Sequence, residues 1–387
     1  MVKTFNINDS VAKLVDKTTF LKTLNYIDSG QLKTPYLVID GDKLARNAAT
    51  IGKGIQNSKV FYAVKANPAQ NVLDFLNRQG TGFEISSMGE LHVLAALKIA
   101  PERIISSNPV KIPDFIAAAH NYGIRMFSLD STAEVKKISA LAPGSSVYVR
   151  LSVPNEGSEW PLSKKFGVEI EDAVSLILMS KDYGLNPVGV TFHVGSQCNN
   201  VYNWNIAVDK AGLVFDMAAQ AGVSLSVLNI GGGYPIKYTR DVPGVQVIEQ
   251  NINKLITQRF GKTMEVHLEP GRSMVGDAGI MVSRVTGKAD RLNEKWLYID
   301  VGVFNGLMES IGGIKYSYIV ETTPQTAAKQ NWVLAGPSCD SFDVIDKNVY
   351  LNEPEPGDMV LIISGGAYTI SYASEFNGCA IPHTVIV

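Results

Sequence analysis

Residues 60–67 read Val60-Phe61-Tyr62-Ala63-Val64-Lys65-Ala66-Asn67, an apolar run ending on a lysine, and Asn71–Gln79 follows with apolar side chains every three or four positions. A strand followed at once by a helix is the opening of a βαβ unit. The pattern recurs as far as Arg272. Further strand-like runs lie at Gly82–Ser86, Arg103–Ser107, Met126–Leu129, Val147–Leu151, Pro187–His193, Leu225–Ile230 and Met264–Glu269, making eight with Val60–Lys65. Helical spacing fills the gaps, as in Gly89–Leu97, Ile112–His120 and Trp204–Ala219. Eight such units favour closure into an α/β fold of the TIM-like (β/α)8 type, with an open doubly wound sheet as the competitor.

Beyond Arg272 the texture changes. Short alternating runs (Met281–Val285, Trp296–Asp300, Tyr316–Val320, Asn331–Leu334, Met359–Ile363) are separated by Gly, Pro and Asp. This predicts a C-terminal all-β domain of sandwich or barrel type. Pro35–Ile39 is also strand-like and is expected to pair with that sheet. The division expected is a barrel over residues 40–273 and a β domain from residues 1–39 and 274–387.

Composition narrows the classes. At roughly 150 residues per domain, 387 residues suit two or three domains, or a barrel with a companion. Thirty-five Lys and Arg against 37 Asp and Glu leave a net charge of −2, without the basic surplus of a nucleic-acid binder. Cys198, Cys339 and Cys379 are too few and too scattered for a disulfide framework or a thiolate zinc site, and no metal is expected. The first 20 residues lack the apolar core of a signal peptide, and no run approaches the ~20 residues of a membrane helix. A soluble, cytoplasmic protein is expected.

In a (β/α)8 barrel, chemistry sits at the carboxyl ends of the strands. Those ends carry Lys65, Glu84, Asn108, Arg150, His193, the run Gly231-Gly232-Gly233, and Glu269 with Arg272. A lone lysine there would snorkel to solvent. The functional alternative is a Schiff-base nucleophile whose amine pKa is lowered by partial burial. Consecutive glycines let backbone N–H groups converge on an anion, and the loops after the last two barrel strands commonly hold phosphate. Arg272 supplies fixed charge for it. Glu269 either pairs with Arg272 or Lys65, or holds a cofactor ring nitrogen protonated. His193 is either a satisfied core histidine or a ring laid against a planar cofactor. In the C-terminal region, Gly336-Pro337-Ser338-Cys339-Asp340 carries a thiol beside an acid, and Gly365-Gly366-Ala367-Tyr368 offers a phenol beside two glycines. Alone, Cys339 would be a small core residue, and Tyr368 either a phosphate donor or a packed aromatic.

Together these residues resemble the fold-type III (alanine-racemase-like) pyridoxal-phosphate-dependent decarboxylases, the group that includes ornithine, lysine and diaminopimelate decarboxylases. The resemblance runs from Thr34-Pro35-Tyr36 to Phe376-Asn377-Gly378. It rests on Tyr62-Ala63-Val64-Lys65-Ala66-Asn67, Gly82-Phe83-Glu84-Ile85-Ser86-Ser87, Pro161-Leu162-Ser163-Lys164-Lys165-Phe166-Gly167, His193-Val194-Gly195-Ser196, Gly231-Gly232-Gly233, Glu269-Pro270-Gly271-Arg272, Gly336-Pro337-Ser338-Cys339-Asp340 and Gly365 to Tyr368. The resemblance implies that Lys65 condenses with the cofactor aldehyde, His193 stacks on its ring and Glu269 binds its nitrogen. It implies that Ser196, Gly232, Gly233, Arg272 and Tyr368 hold the phosphate, with Glu84, Arg150 and Gly271 in the cofactor-binding set. Cys339 would return a proton to Cα. It further implies a head-to-tail homodimer in which Cys339 and Asp340 serve the partner's pocket.

Cys339-Asp340-Ser341 looks more like the ornithine and lysine enzymes than the diaminopimelate enzymes, which carry Cys-Glu-Ser. Asp340 would face the distal amine of an amino-acid substrate, with Glu309 in Phe304-Asn305-Gly306-Leu307-Met308-Glu309 as a second acid. The implied activity is decarboxylation of L-ornithine or L-lysine to putrescine or cadaverine. Alternatives are diaminopimelate or a larger amino-acid conjugate, or a catalytically silent regulatory relative. A basic residue near Glu309 would suit the conjugate, and Lys315 is the candidate.

Overall fold

The computed structural model describes Phe5 and residues 13–160, 165–321 and 329–387. In chain order the strands begin with β1 (Tyr36–Ile39), β2 (Ser58–Ala63), β3 (Gly82–Glu84), β4 (Ile104–Ile105), β5 (Met126–Leu129) and β6 (Ser146–Arg150). Then come β7 (Ser158–Trp160), β8 (Asn186–Thr191), β9 (Ser196–Cys198), β10 (Val227–Asn229) and β11 (Glu265–Leu268). Eight of these form one parallel sheet in the order β4-β3-β2-β11-β10-β8-β6-β5. A parallel bridge between Ser106 and Phe127 joins its two edges, with Ser106 N–H donating to Met126 O at 3.0 Å. The barrel is closed, and the open-sheet alternative falls.

All eight expected strands are present; Met126–Leu129 matches its strand at both ends, and the other seven runs extend past theirs at the carboxyl end. β2 stops at Ala63, and Val64–Ala66 is a single 3-10 turn. Ser86, Ser107, His193 and Glu269 likewise lie past their strands. The chain leaves the ladder at the barrel mouth, which frees these residues to aim inward. Helices occupy Gln70–Arg78, Met88–Ala96, Pro113–Tyr122 and Tyr202–Gln220, close to the expected segments. Two start on Ser-x-x-Glu signals: Ser87 Oγ accepts from Glu90 N–H, and Ser131 Oγ accepts from Glu134 N–H. Fully buried Phe127, Leu129, Val147, Val190, Leu228 and Val266 fill the barrel and its helix contacts, each contributing roughly 1.5–3 kcal/mol by leaving water.

The remaining strands are β12 (Gly279–Arg291), β13 (Glu294–Ile299), β14 (Ser317–Val320), β15 (Gln330–Ala335), β16 (Val344–Leu351), β17 (Met359–Ile363) and β18 (His383–Ile386). β12 organises them: β17 runs along one edge, while β1 and then β13 occupy the other. Tyr36–Ile39 therefore joins this sheet as expected, also pairing parallel with β18. Two strands of this domain escaped the sequence reading, as did the short pair β7 and β9. β16 hides its alternation behind Asp346-Lys347-Asn348, and β18 is four residues at the chain end. Among the described residues, no helix is long and apolar enough to cross a membrane.

The β domain reaches the barrel mouth through several bonds, including Ser317 Oγ to Tyr238 O and Ser364 Oγ to Lys237 O, each at 3.0 Å. Tyr368 N–H donates to Ala66 O at 2.7 Å, and Asn67 Nδ2 donates to Gly366 O at 3.0 Å. Glu309, on the turn Met308–Ser310, bonds Arg272 of the barrel.

Candidate active site

Lys65, Glu84, Asn108, Arg150, His193 and Glu269 line one cavity of about 770 Å³. An adjoining recess shares Lys65, His193 and Glu269 and adds Ser196, Gly233, Gly271, Arg272 and Tyr368. Residues from the ends of seven different barrel strands thus meet in one mouth. Lys165 and Phe166 also line the larger cavity, while Pro161–Lys164 of the same motif lie outside the described residues.

Lys65 Nζ stands 3.8 Å from Glu84 Oε2, and its side chain is half accessible through the cavity it lines. Its amine is raised above the usual lysine value, first by the Glu84 carboxylate and then against the opposing effect of burial, with Tyr368 and Glu269 adding to the rise. The expected lowering is overturned. Partial burial alone would disfavour the ammonium, but a buried carboxylate beside it favours charge more strongly.

Glu269 is held by a network that sequence reasoning missed. Ser107 Oγ donates to its Oε1, and Asn229 Nδ2 donates to the same oxygen at 2.5 Å. Tyr148 OH sits behind both, 2.9 Å from Ser107 Oγ and 3.0 Å from Asn229 Nδ2. Oε2 has no hydrogen-bond partner among the described residues. Burial and Glu84 push the Glu269 carboxyl upward, while the Ser107 and Asn229 donors and Lys65 pull it back. The available signal was parity: Tyr148 and Asn229 are polar residues at inward positions of apolar strands.

Gly195 N–H donates to His193 Nδ1 at 3.0 Å, so that nitrogen carries no proton. Burial, with Arg150 and Lys65 nearby, holds the imidazole well below its usual pKa. Both effects favour the neutral ring, whose face is free to lie against a flat group.

Gly232 and Gly233 N–H groups have no acceptor among the described residues. A Cβ on Gly232 would stand 2.4 Å from Glu269 O, and one on Gly233 2.4 Å from Gly195 O. Only glycine fits; Gly233 lines the recess, Gly232 lines neither cavity, and two consecutive unpaired donors suit an anion. Tyr368 has φ 55°, which turns its ring under Arg272 at 4.6 Å. Burial raises its phenol, so the hydroxyl stays a donor at neutral pH.

The second cluster behaves differently. Cys339 is exposed rather than core, with its N–H and Sγ each 3.1 Å from Asn377 Oδ1. Neither Cys339 nor Asp340 lines the cavities, so the chain does not bring them to its own Lys65. Exposed rings lie close by: Phe342, whose N–H donates to Asp340 Oδ1, and Phe376, the neighbour of Asn377. Glu309, expected at the substrate's distal amine, is instead buried in a two-pronged bond to Arg272, 2.7 Å at each oxygen. Lys315 pairs with Asp346 at 2.8 Å, so the basic group at Glu309 is Arg272.

The family model described as "Pyridoxal-dependent decarboxylase, pyridoxal binding domain" matches residues 42–276. A lysine/ornithine decarboxylase of Selenomonas ruminantium is 34% identical over 360 residues, covering 92% of this chain and 90% of that protein. Antizyme inhibitor 2 of Xenopus laevis is 31% identical over 378 residues, covering 92% and 81%. The crystal structure of lysine/ornithine decarboxylase from Vibrio vulnificus with cadaverine superposes with a TM-score of 0.88 at 29% identity, over 97% of this chain and all of that one.

The site fits the cofactor that the family name specifies. The unpaired Gly232 and Gly233 donors suit a phosphate, Glu269 Oε2 suits a ring N–H, and Lys65 suits an aldehyde. With an amine, an acid and an anion cradle meeting at the mouth of one barrel, and a family match over most of that barrel, the chain belongs to the pyridoxal-phosphate-dependent decarboxylases of fold type III.

Proposed function

We propose that the chain decarboxylates a basic L-amino acid, L-ornithine and L-lysine in particular, releasing carbon dioxide and the diamine. The observation that carries this is the convergence of Lys65, Glu269 and the free Gly232 and Gly233 donors in one barrel mouth. The substrate class rests on Asp340 beside Cys339 and on relatives named for lysine and ornithine.

Bound pyridoxal phosphate supplies the electron sink for the pair left by carbon dioxide. Lys65 contributes the amine that anchors the aldehyde, and Glu84 is the nearest acceptor for the proton that amine must shed. Glu269, fixed through Oε1, offers Oε2 to the ring nitrogen. His193 presents a neutral ring face. Gly232, Gly233, Ser196 and Tyr368, with Arg272 behind them, hold the phosphate end. Gly271 lines the same recess, and Arg150 lines the larger cavity beside it.

Cys339 and Asp340 act in this reading from the partner subunit of a homodimer. Their exposure and the aromatic surface around them support it. Asp340 then pairs with the distal ammonium, and Cys339 gives a proton to Cα. Selection between chains differing by one methylene is worth only ~1–3 kcal/mol, so both substrates are turned over. The relative named as an antizyme inhibitor does not redirect this reading, because Lys65, Glu269, Arg272 and Cys339 are all present here. A cytoplasmic location belongs to the same proposal.

Carbon dioxide release from L-ornithine, L-lysine, L-arginine and meso-diaminopimelate tests the substrate. Release from the first two, with KM sharply raised by Asp340→Ala, is expected; unchanged kinetics in that variant would discredit the assignment. Mixing inactive Lys65→Ala with the strongly slowed Cys339→Ala tests the shared site. Random pairing puts half the molecules in mixed dimers with one intact site, so about a quarter of wild-type activity returns. No recovery on mixing would overturn the shared arrangement.

A further inference from the structure

Arg272 has five N–H donors, and every one of them already has an acceptor inside the chain. Nε donates to Ser196 Oγ at 3.3 Å. One terminal nitrogen donates to Tyr238 OH at 2.6 Å and to Glu309 Oε2 at 2.7 Å. The other donates to Glu309 Oε1 at 2.7 Å and to Ser196 Oγ at 3.1 Å. Its faces are covered as well, by the Tyr368 ring at 4.6 Å and the Tyr238 ring at 5.7 Å. The Arg272 and Glu309 side chains are 3% and 2% exposed, so this is a buried, charge-neutral pair.

A phosphate seated on Gly232 and Gly233 therefore meets a guanidinium that has no spare N–H and whose charge is already cancelled. To engage it, the anion must share the Ser196 edge or draw the guanidinium away from Glu309. Glu309 comes from the β domain, on a turn fixed by Leu307 N–H to Gly302 O at 2.8 Å and Ile314 N–H to Glu309 O at 3.2 Å. It lines neither cavity. Its carboxylate faces Arg272, with the rings of Tyr238, Tyr316, Tyr368 and Tyr372 among its surroundings.

We propose that Glu309 is the built-in counter-ion of Arg272: it holds the guanidinium in place before an anion arrives and, by competing for the same donors, limits how tightly the phosphate end of the cofactor is held. Glu309 is a positioning residue in this scheme. The inference rests on the reading that Arg272 backs the phosphate site.

Removing the acid leaves a buried guanidinium without its partner, which destabilises the ligand-free protein. An incoming anion then restores compensation, so the same substitution strengthens anion binding. The two effects have opposite signs, and a merely structural role for Glu309 gives only the first. The full chain, stripped of cofactor, is melted across an inorganic phosphate titration and separately titrated with pyridoxal phosphate by absorbance.

Glu309→Gln is expected to lower Tm without phosphate, to enlarge the phosphate-induced rise, and to bind both anions about tenfold more tightly, the factor that one such contact represents. Glu309→Asp keeps the charge but cannot span both nitrogens, and should fall between Glu309→Gln and wild type. Equal or weaker anion binding by Glu309→Gln would overturn the proposal. If that variant cannot be purified, Glu309→Asp decides: tighter binding supports the competition, and unchanged or weaker binding overturns it. Wild-type chain whose Lys65 is not trapped on the cofactor by borohydride would overturn the proposed function itself. Trapping at Lys65 with unmoved variants overturns this inference alone.

Discussion

Glu84 Oε2 faces Lys65 Nζ at 3.8 Å, and Glu84 is the largest cause of the raised amine pKa. Only the unprotonated amine attacks an aldehyde, so cofactor capture should accelerate with rising pH through the neutral range. Glu84→Gln removes the main cause of the shift, and the amine pKa falls. Each unit of fall multiplies the free-amine fraction about tenfold while the ammonium dominates. Stopped-flow absorbance of stripped protein mixed with pyridoxal phosphate should show the capture profile displaced to lower pH. Turnover should fall in the same variant, because the nearest proton acceptor is gone. A capture profile that stays in place would refute the Glu84 assignment.

His193 gives a stability prediction of opposite sense to a salt-bridged histidine. Its folded pKa lies well below 6.5 because of burial and the charges of Arg150 and Lys65. Below pH 6.5 the unfolded chain therefore takes up a proton that the folded chain refuses, and stability falls as pH drops. The slope from this one group is at most about 1.4 kcal/mol per pH unit. His193→Phe keeps a ring and removes the titration. Urea unfolding of stripped protein from pH 7 downward should show a shallower loss in the variant; identical slopes would count against a neutral buried imidazole.

The barrel was legible because each strand carries its own local signature, and eight signatures in one order leave few folds. The mouth residues were legible as well, since Lys65, His193 and Glu269 interrupt apolar runs, although each strand stops one or two residues earlier. What stayed hidden was whatever depends on two distant segments meeting. Ser107 and Asn229 are 122 positions apart in numbering, yet both donate to Glu269 Oε1. Glu309 looked like a substrate ligand from its place after Phe304-Asn305, and only the docked β domain reveals Arg272 as its partner. The sign of the Lys65 shift failed for the same reason. Burial can be guessed from an apolar strand, but the carboxylate that outweighs it comes from a neighbouring strand.

Gly232 offers a test of the anion cradle. A methyl there would lie 2.4 Å from Glu269 O and 3.2 Å from Glu269 C, both backbone atoms. Gly232→Ala must therefore push the segment carrying Glu269 or withdraw its own N–H from the cradle. Cofactor affinity should fall by about tenfold or more, as for loss of one charge-assisted hydrogen bond of ~1.5–3 kcal/mol. Absorbance titration measures it, and borohydride trapping at saturating cofactor should still mark Lys65. Unchanged affinity would place the phosphate end elsewhere.

Asn377 supplies the last prediction, because it holds the proposed proton donor. Its φ of 57° lies in the left-handed region, and its Oδ1 accepts from both the N–H and the Sγ of Cys339 at 3.1 Å. Asn377→Gly retains the backbone conformation, since glycine adopts positive φ without cost, and removes both contacts. The thiol then loses its fixed direction while remaining present. Cys339→Ala should slow correct turnover by about 10²–10⁴, the range for a placed general acid, with cofactor absorbance unaltered. Asn377→Gly should give a smaller loss of kcat and a raised share of misprotonated product, measured by separating amine from aldehyde products after complete substrate conversion. If Asn377→Gly matches wild type in both rate and product ratio while Cys339→Ala does not, the thiol acts without this anchor and the positioning role of Asn377 is wrong.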